Sequence, residues 1–217
     1  MPVSSRQQLD VGSLRDYLVD KLPDTKGELS VEQFKGGQSN PTYRVEDQAG
    51  RDELTGALNR NGLAVAVRRH FSVLRPRPIV ALQIDIDHFQ RVNTSYGHAV
   101  GDRVLREIAR SLRVSCRADD FVARTGGEEF LIVCVGASPE TALELAERIR
   151  LRIADTEIYC ANSEPVRCSV SIGLSGSCEA LNNWREAWRQ ADNALYRAKS
   201  LGCNISITHP EAFRVKR

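Results

Sequence analysis

Asp85 and Asp87, separated by Ile86, close an apolar run that begins at Ile79. A carboxylate at the end of a buried strand stands at the rim of a sheet, where it can hold a hard cation while a phosphate oxygen completes the shell. The same pair would also serve as a helix cap and a turn. Farther along, Gly126-Gly127-Glu128-Glu129 separates two strand-like runs. Two glycines permit positive φ and let a substrate approach the main chain, and acids at a hairpin tip point away from the core. Alone, these four residues would make an ordinary solvated turn. Together, the two motifs would gather three or four carboxylates, which stay ionised only when cations neutralise them. Mg²⁺ (or Mn²⁺) carrying nucleotide phosphates does this.

Asn93 and Asp102 flank Gly97-His98 and Gly101. Around a helix-turn-helix, such a pair presents an amide and a carboxylate to one guanine edge. The carboxylate accepts from N1–H and the exocyclic amine, which adenine does not offer. Asp102 also fits the N-cap of a helix beginning near Arg103, and His98 reads as a structural hydrogen-bonder. Clustered carboxylates on a strand end and a neighbouring hairpin are the geometry of palm-type polymerases and nucleotidyl cyclases.

The surrounding pattern supplies elements to hold these groups. Leu63, Val67, Phe71 and Leu74 mark a helix face that ends before Pro76 and Pro78. Ile79 to Ile84 suits a central strand. Helices are expected over Asp87 to Tyr96 and Gly101 to Val114, and strands over Phe121 to Arg124 and Phe130 to Val135, joined as a hairpin through Thr125 to Glu128. Ser138-Pro139-Glu140 opens a long helix with a cap, a proline at the first position and an early carboxylate. Val166, Cys168, Val170, Ile172 and Leu174 alternate as a half-buried strand, and Trp184, Trp188, Ala191 and Leu195 place a last helix on the sheet. The order β-α-α-β-β-α-β-α-β predicts an α+β fold, with helices covering one face of a mostly antiparallel sheet.

Ahead of Arg51 the chain reads differently. Leu14, Tyr17, Leu18 and Leu22 recur at helical spacing until Pro23, and strand patterns follow around Leu29 to Phe34 and Thr42 to Val45, with Gly36-Gly37 as the turn between them. The expected division is residues 1–50 as a short fragment or linker and residues 51–217 as the main domain. At 217 residues the chain is long enough for a sizeable core, and a net charge of +2 gives no case for nucleic acid or an anionic membrane. No apolar run approaches the roughly 20 residues that span a bilayer, and the N-terminus lacks a signal-peptide core. The six cysteines form no CxxC pair. These features favour a reduced, cytoplasmic protein without a disulfide framework. Cys134 and Cys168, within apolar runs, read as small buried hydrophobes.

Several motifs in order carry a specific resemblance. Asp52-x-Leu54-Thr55-Gly56-x-x-Asn59-Arg60, Asp85-x-Asp87-x-Phe89, Asn93-x-x-x-Gly97-His98-x-x-Gly101-Asp102, Gly126-Gly127-Glu128-Glu129-Phe130, Ser169-Val170-Ser171-Ile172-Gly173 and Ala191-Asp192-x-Ala194-Leu195-Tyr196-x-Ala198-Lys199 follow one another as in bacterial GGDEF-family diguanylate cyclases. The resemblance spans about Arg51 to Ile207. It implies that Asp85, the Ile86 carbonyl and Glu128 bind the metal, with Glu129 supporting Glu128. It further implies that Asn93 and Asp102 recognise guanine, that Gly126 and Gly127 make room for the α-phosphate and ribose, and that Lys199 touches the triphosphate. Two GTP-loaded domains would meet face to face and form cyclic di-GMP, so a homodimer is implied. Arg117-Ala118-Asp119-Asp120 resembles the family's product-inhibition motif, with Arg117 and Asp120 holding cyclic di-GMP. Read by itself, it is a surface Arg–Asp pair worth at most about 1 kcal/mol.

Three positions depart from the family pattern. Gln90 stands where a phosphate-binding lysine is common, Thr94 where Asp often follows the Asn, and Cys203 where an Arg or Lys follows the glycine. Losing a cation near a triphosphate costs roughly 1.5–3 kcal/mol per contact. Arg91 adjoins Gln90, but one residue along a helix turns a side chain by about 100°. These losses motivate a second expectation, a catalytically weak domain that binds GTP or cyclic di-GMP as a receptor. Residues 10–46 resemble the opening of aminoglycoside-phosphotransferase-like kinases. Beyond Glu46 the chain offers no phosphate lysine on a following strand and no His-x-x-Asp catalytic loop, so a kinase is the weakest of the three readings.

Overall fold

The computed structural model describes residues 29–33, 43–159, 165–210 and 212, and the chain divides into two compact units, Met1–Arg51 and Asp52–Arg217. In the first unit, β1 (Leu29–Gln33) and β2 (Tyr43–Asp47) pair antiparallel, with Leu29 opposite Asp47 and Gln33 opposite Tyr43. The helix expected over Leu14 to Leu22 and the Gly36-Gly37 turn lie outside the described residues.

The second unit runs α1 (Arg60–Phe71), β3 (Ile79–Ile86), α2 (Phe89–Tyr96), α3 (His98–Ser115), β4 (Phe121–Arg124), β5 (Glu129–Val135), α4 (Pro139–Ala154), β6 (Val170–Leu174), α5 (Trp184–Ser200) and β7 (Ser206–Thr208). Its five strands lie in the order β4-β5-β3-β6-β7, antiparallel throughout except for the β6–β7 pair. The α+β class and the mostly antiparallel sheet agree with the sequence pattern. The expected covering of one face does not: helices pack on both. Val80, Leu82, Ile84 and Ile86 of β3 join Val104, Ile108 and Ile149 in one cluster, whereas Ile79 and Ala81 join Leu63, Val67, Trp184 and Ala191 in another. A strand as continuously apolar as β3 needs cover on both sides.

Local signals set most boundaries. Ser138 caps α4 by accepting the Thr141 N–H at 3.3 Å, with Pro139 in the first turn, as its sequence predicts. Three details differ. α1 stops at Phe71, and Leu74 is fully exposed beyond it. α3 starts at His98, so Asp102 lies inside the helix and is not its N-cap. The stretch from Val166 to Leu174 is not one alternating strand. Val166 forms a bridge with Ile158, β6 begins at Val170, and all five of its residues are buried. Cys168 therefore sits ahead of the strand, where burial pushes its thiol up to about 11. Cys134 is buried in β5, and burial likewise holds its thiol well above the ordinary range.

The crossing of α5 over β6 positions the site. A Cβ on Gly173 would lie 2.1 Å from both the Ala191 carbonyl oxygen and the Leu195 nitrogen, so only glycine admits this approach. Trp188 of α5 donates its indole N–H to Gln83 of β3 at 3.1 Å, satisfying a polar side chain in the middle of the sheet. These two contacts fix the helix whose last turn carries Lys199 beside the end of β3.

Candidate active site

Three strands converge at the C-terminal end of β3. Asp85 lies opposite Glu129 on β5 and opposite Ser171 on β6, and the Ile86 N–H donates to the Glu128 carbonyl at 3.3 Å. Lys199 reaches in from the last turn of α5, and its ammonium donates to Asp85 and, at 2.8 Å, to Asp87 Oδ1. Asp87 is not a helix cap, because the N-cap position of α2 belongs to His88 in the left-handed region. The Asp87 carboxylate accepts from Ser169 Oγ at 2.6 Å, Ser171 Oγ at 2.7 Å and the Asn204 N–H at 2.9 Å, and the side chain is only 1% exposed.

These partners divide two carboxylates that share one ammonium. Burial pushes the Asp85 carboxyl up, the Asp87 charge adds to this, and Lys199 only partly opposes it. Burial also acts on Asp87, but Lys199, Ser169 and Ser171 together hold its carboxyl below the usual range. Glu128 is raised by burial and by the charges of Asp85 and Glu129, against the pull of Lys199. Lys199 itself loses by burial and gains more from the two aspartates, so its ammonium is held above the ordinary lysine range. The rim therefore carries more negative charge than its single cation satisfies.

Among the described residues, no three His, Cys, Asp or Glu side chains come together as a metal cage. A cation here would rest on two carboxylates, Asp85 and Glu128, and on the Ile86 main-chain carbonyl. That sparse set of hard oxygen donors, with raised carboxyls short of positive charge, fits a hard divalent ion that also takes oxygens from a phosphate ligand.

The glycine turn is clamped from outside. Arg124 donates to the Gly127 carbonyl at 2.7 Å and pairs with Asp52 at 3.2 Å, and Arg60 donates to the Thr125 carbonyl. Asp52 also accepts from the Thr55 N–H at 2.9 Å and from its hydroxyl at 2.6 Å. Gly126 leaves room for the Glu129 side chain, because a Cβ there would lie 2.3 Å from Glu129 Oε2. Glu129 thus folds over the turn, and Gly127 is exposed at its tip. The clamping roles of Arg60 and Arg124 escaped the sequence reading. Arg124, three residues before Gly127, was the available signal; Arg60 lies 65 residues from Thr125, and donation to carbonyls leaves no mark in side-chain spacing.

Asn93 and Asp102 come from neighbouring helices. A Cβ on Gly101 would fall 1.9 Å from Asn93 Oδ1, so the Asn93 amide lies against the first turn of α3, at the residue that precedes Asp102. Both side chains are partly exposed. Arg117 and Asp120 occupy a separate corner. Asp120 accepts the Arg117 N–H at 2.9 Å through one oxygen and the Val135 N–H at 3.0 Å through the other. They line a cavity of about 120 Å³ together with Arg148 of α4, a third charged group that sequence spacing did not join to them.

The residues 49–204 match the model of the diguanylate cyclase GGDEF domain. The chain belongs to the GGDEF family. The probable diguanylate cyclase DgcT of Escherichia coli K12 is 38% identical over 160 residues, covering 72% of this chain. The chain spans about a third of the length of such curated relatives, 35% for DgcT. Among solved structures, the GGDEF domain of DgcB from Caulobacter crescentus, in complex with c-di-GMP, matches 82% of this chain and 99% of its own, at 25% identity and a TM-score of 0.70. The active GGEEF domain of a diguanylate cyclase from Vibrio cholerae is 31% identical, with a TM-score of 0.56 over 65% of this chain and 95% of its own.

Proposed function

We propose that this chain is a diguanylate cyclase that condenses two GTP into cyclic di-GMP as a homodimer in the bacterial cytoplasm. The observation that carries this is the rim itself: Asp85 and Glu128 with raised carboxyls, beside a clamped Gly126-Gly127 turn and Lys199. Asp85, the Ile86 carbonyl and Glu128 would hold Mg²⁺ or Mn²⁺. When bound, the metal lowers the pKa of the attacking hydroxyl and offsets charge on the phosphorus. The protein supplies the rest by position. Gly126 and Gly127 let the α-phosphate and ribose approach, with Glu129 folded against the turn. Asn93 and Asp102 hold guanine by its hydrogen-bonding edge. Lys199, held by the two aspartates here, would turn to the triphosphate when nucleotide is bound.

The balance of the reaction requires two copies. The 3′-oxygen of each GTP forms a bond to the α-phosphorus of the other, the bond to the β-phosphate breaks, and each half-reaction releases one proton and one pyrophosphate. Arg117 and Asp120 would bind the product and inhibit. Residues 1–50 are read as an appended kinase-like fragment without a part in this chemistry. ATP-dependent phosphorylation of an acceptor would contradict that.

A second reading, a GTP or cyclic di-GMP receptor of weak activity, rests on Lys199. It is tied to both aspartates, and neither Gln90 nor Cys203 offers another cation. Incubation with GTP and Mg²⁺, followed by mass spectrometry, decides between them. The cyclase gives cyclic di-GMP that disappears in Glu128→Ala. A protein that binds cyclic di-GMP but makes none at high concentration is the receptor.

A further inference from the structure

A cavity of about 490 Å³ opens along one stripe of α2, formed by His88, Arg91, Val92, Ser95 and Tyr96. Its other walls are the chain from Val166 to Ser169, Ala154 and Asn204. Val92, Ala154 and Val166 supply apolar wall, while Arg91 and Arg167 bring two guanidinium groups, with His88 and Tyr96 as further polar groups. Arg91 is exposed; its main-chain N–H donates to the His88 carbonyl at 2.9 Å, and its guanidinium has no hydrogen-bond or ion-pair partner among the described residues. Arg167 pairs with Glu157, whose carboxylate also accepts from Tyr159. The one acid in the lining, Asp87, is already neutralised by Lys199, two hydroxyls and the Asn204 N–H.

Position adds to this charge pattern. Asp87 and Asn204 belong to the cavity wall, and one hydrogen bond farther on is Lys199, which also holds Asp85. The cavity therefore adjoins the catalytic rim across a single buried carboxylate. Guanidinium groups suit phosphate by forked hydrogen bonds, and a multiply charged phosphate gains most from two of them. A monoanion would gain little at so open a mouth. The cavity is also ample for two linked phosphates.

We propose that this cavity is an oligophosphate site, with Arg91 as its principal cation and Arg167 as the second. Its occupant is either the terminal phosphates of the nucleotide at the rim, which rests on the cyclase reading, or free pyrophosphate, which does not. A tail seated here would draw the leaving group away from the α-phosphorus along the far side of Asp87. Free pyrophosphate would make the cavity an anion site in its own right, whatever chemistry the rim performs.

Isothermal titration of the full chain with inorganic pyrophosphate, and separately with 3′-deoxy-GTP, tests this. The latter lacks the attacking hydroxyl and cannot turn over. Arg91→Ala should weaken pyrophosphate about tenfold or more, Arg91→Lys should restore part of the loss, and guanosine monophosphate should bind as before. A parallel loss for 3′-deoxy-GTP assigns the cavity to the nucleotide tail. A loss for pyrophosphate alone assigns it to the free anion. Unchanged pyrophosphate affinity in Arg91→Ala, with an unchanged melting temperature, overturns the site. Arg91-dependent pyrophosphate binding in a protein that makes no cyclic di-GMP would sustain the cavity and sink the cyclase.

Discussion

The rim at the end of β3 and the turn at Arg117–Asp120 both present aspartates at the surface of the same domain, yet they use them in opposite ways. At the turn, both Asp120 oxygens accept main-chain N–H groups, one from Arg117 and one from Val135 at the end of β5. At the rim, Asp85 and Glu128 have raised carboxyls and share the charge of one lysine. A carboxylate engaged by fixed main-chain donors holds the fold, whereas one opposed by a movable ammonium is available to a ligand. Asp87 is the informative intermediate. It lies two residues from Asp85 and shares Lys199, but three further donors place it with Asp120.

The largest effect should come from the available carboxylates, and it should fall on activity alone. Glu128→Gln is expected to lower cyclic di-GMP formation by about a thousandfold, assayed by product mass spectrometry. Asp85→Asn should do the same and keep or raise the melting temperature at pH 7. A carboxyl whose folded pKa is raised makes its ionised form costly, and this cost is absent below the unfolded pKa and complete above the folded one. The neutral amide escapes it. A marked fall in stability for Asp85→Asn would break the contrast with Asp87.

Asp87 should behave the other way. Its carboxyl is held below the usual range, so it contributes stability above the unfolded pKa and loses it as pH falls through the depressed folded value. Asp87→Ala removes a buried partner of Lys199 and orphans the Asn204 N–H, and should cost about 3–5 kcal/mol in urea unfolding at pH 7. The deficit should shrink toward acid. A difference that stays flat down to pH 3 would show that the shape of the residue matters and its charge does not.

The sequence disclosed available carboxylates more readily than structural ones. Asp85, Glu128 and the glycine turn, each ordinary alone, stood out because they occur together and within an ordered series of motifs. The sheet was legible for a related reason: β3 and β5 are nearly continuous apolar runs, and Ser138-Pro139 announces α4. What stayed hidden depends on partners distant in sequence. That Lys199 lies on Asp87, 112 residues away, and that Arg124 holds the Gly127 carbonyl follow from how α5 crosses β6 and how β4 meets the turn. Gly173 illustrates the limit, since its motif was visible but the 2.1 Å approach that demands it was not. Covering of both sheet faces was missed because helix periodicity gives a buried stripe without saying which side of the sheet receives it.

At the turn the effects are smaller and separate two neighbouring residues. Asp120→Ala strands the Val135 N–H at the end of β5 and should cost about 1–3 kcal/mol.

Arg117→Ala should change stability by no more than about 0.5 kcal/mol, because the structural bond at Arg117 uses its main-chain N–H, which alanine keeps. Its exposed guanidinium is then free to act on a ligand, so the variant isolates binding from folding as Asp120→Ala does not. If the corner holds product, Arg117→Ala should raise the cyclic di-GMP concentration for half-inhibition about tenfold or more while the initial rate at low product stays that of the parent. Arg148 lines the same cavity and donates to the Ser115 carbonyl at 3.1 Å, so Arg148→Ala should shift inhibition in the same direction. An inhibition curve that neither substitution moves would return Arg117–Asp120 to the role its hydrogen bonds already give it, a turn that joins α3 to the edge of the sheet.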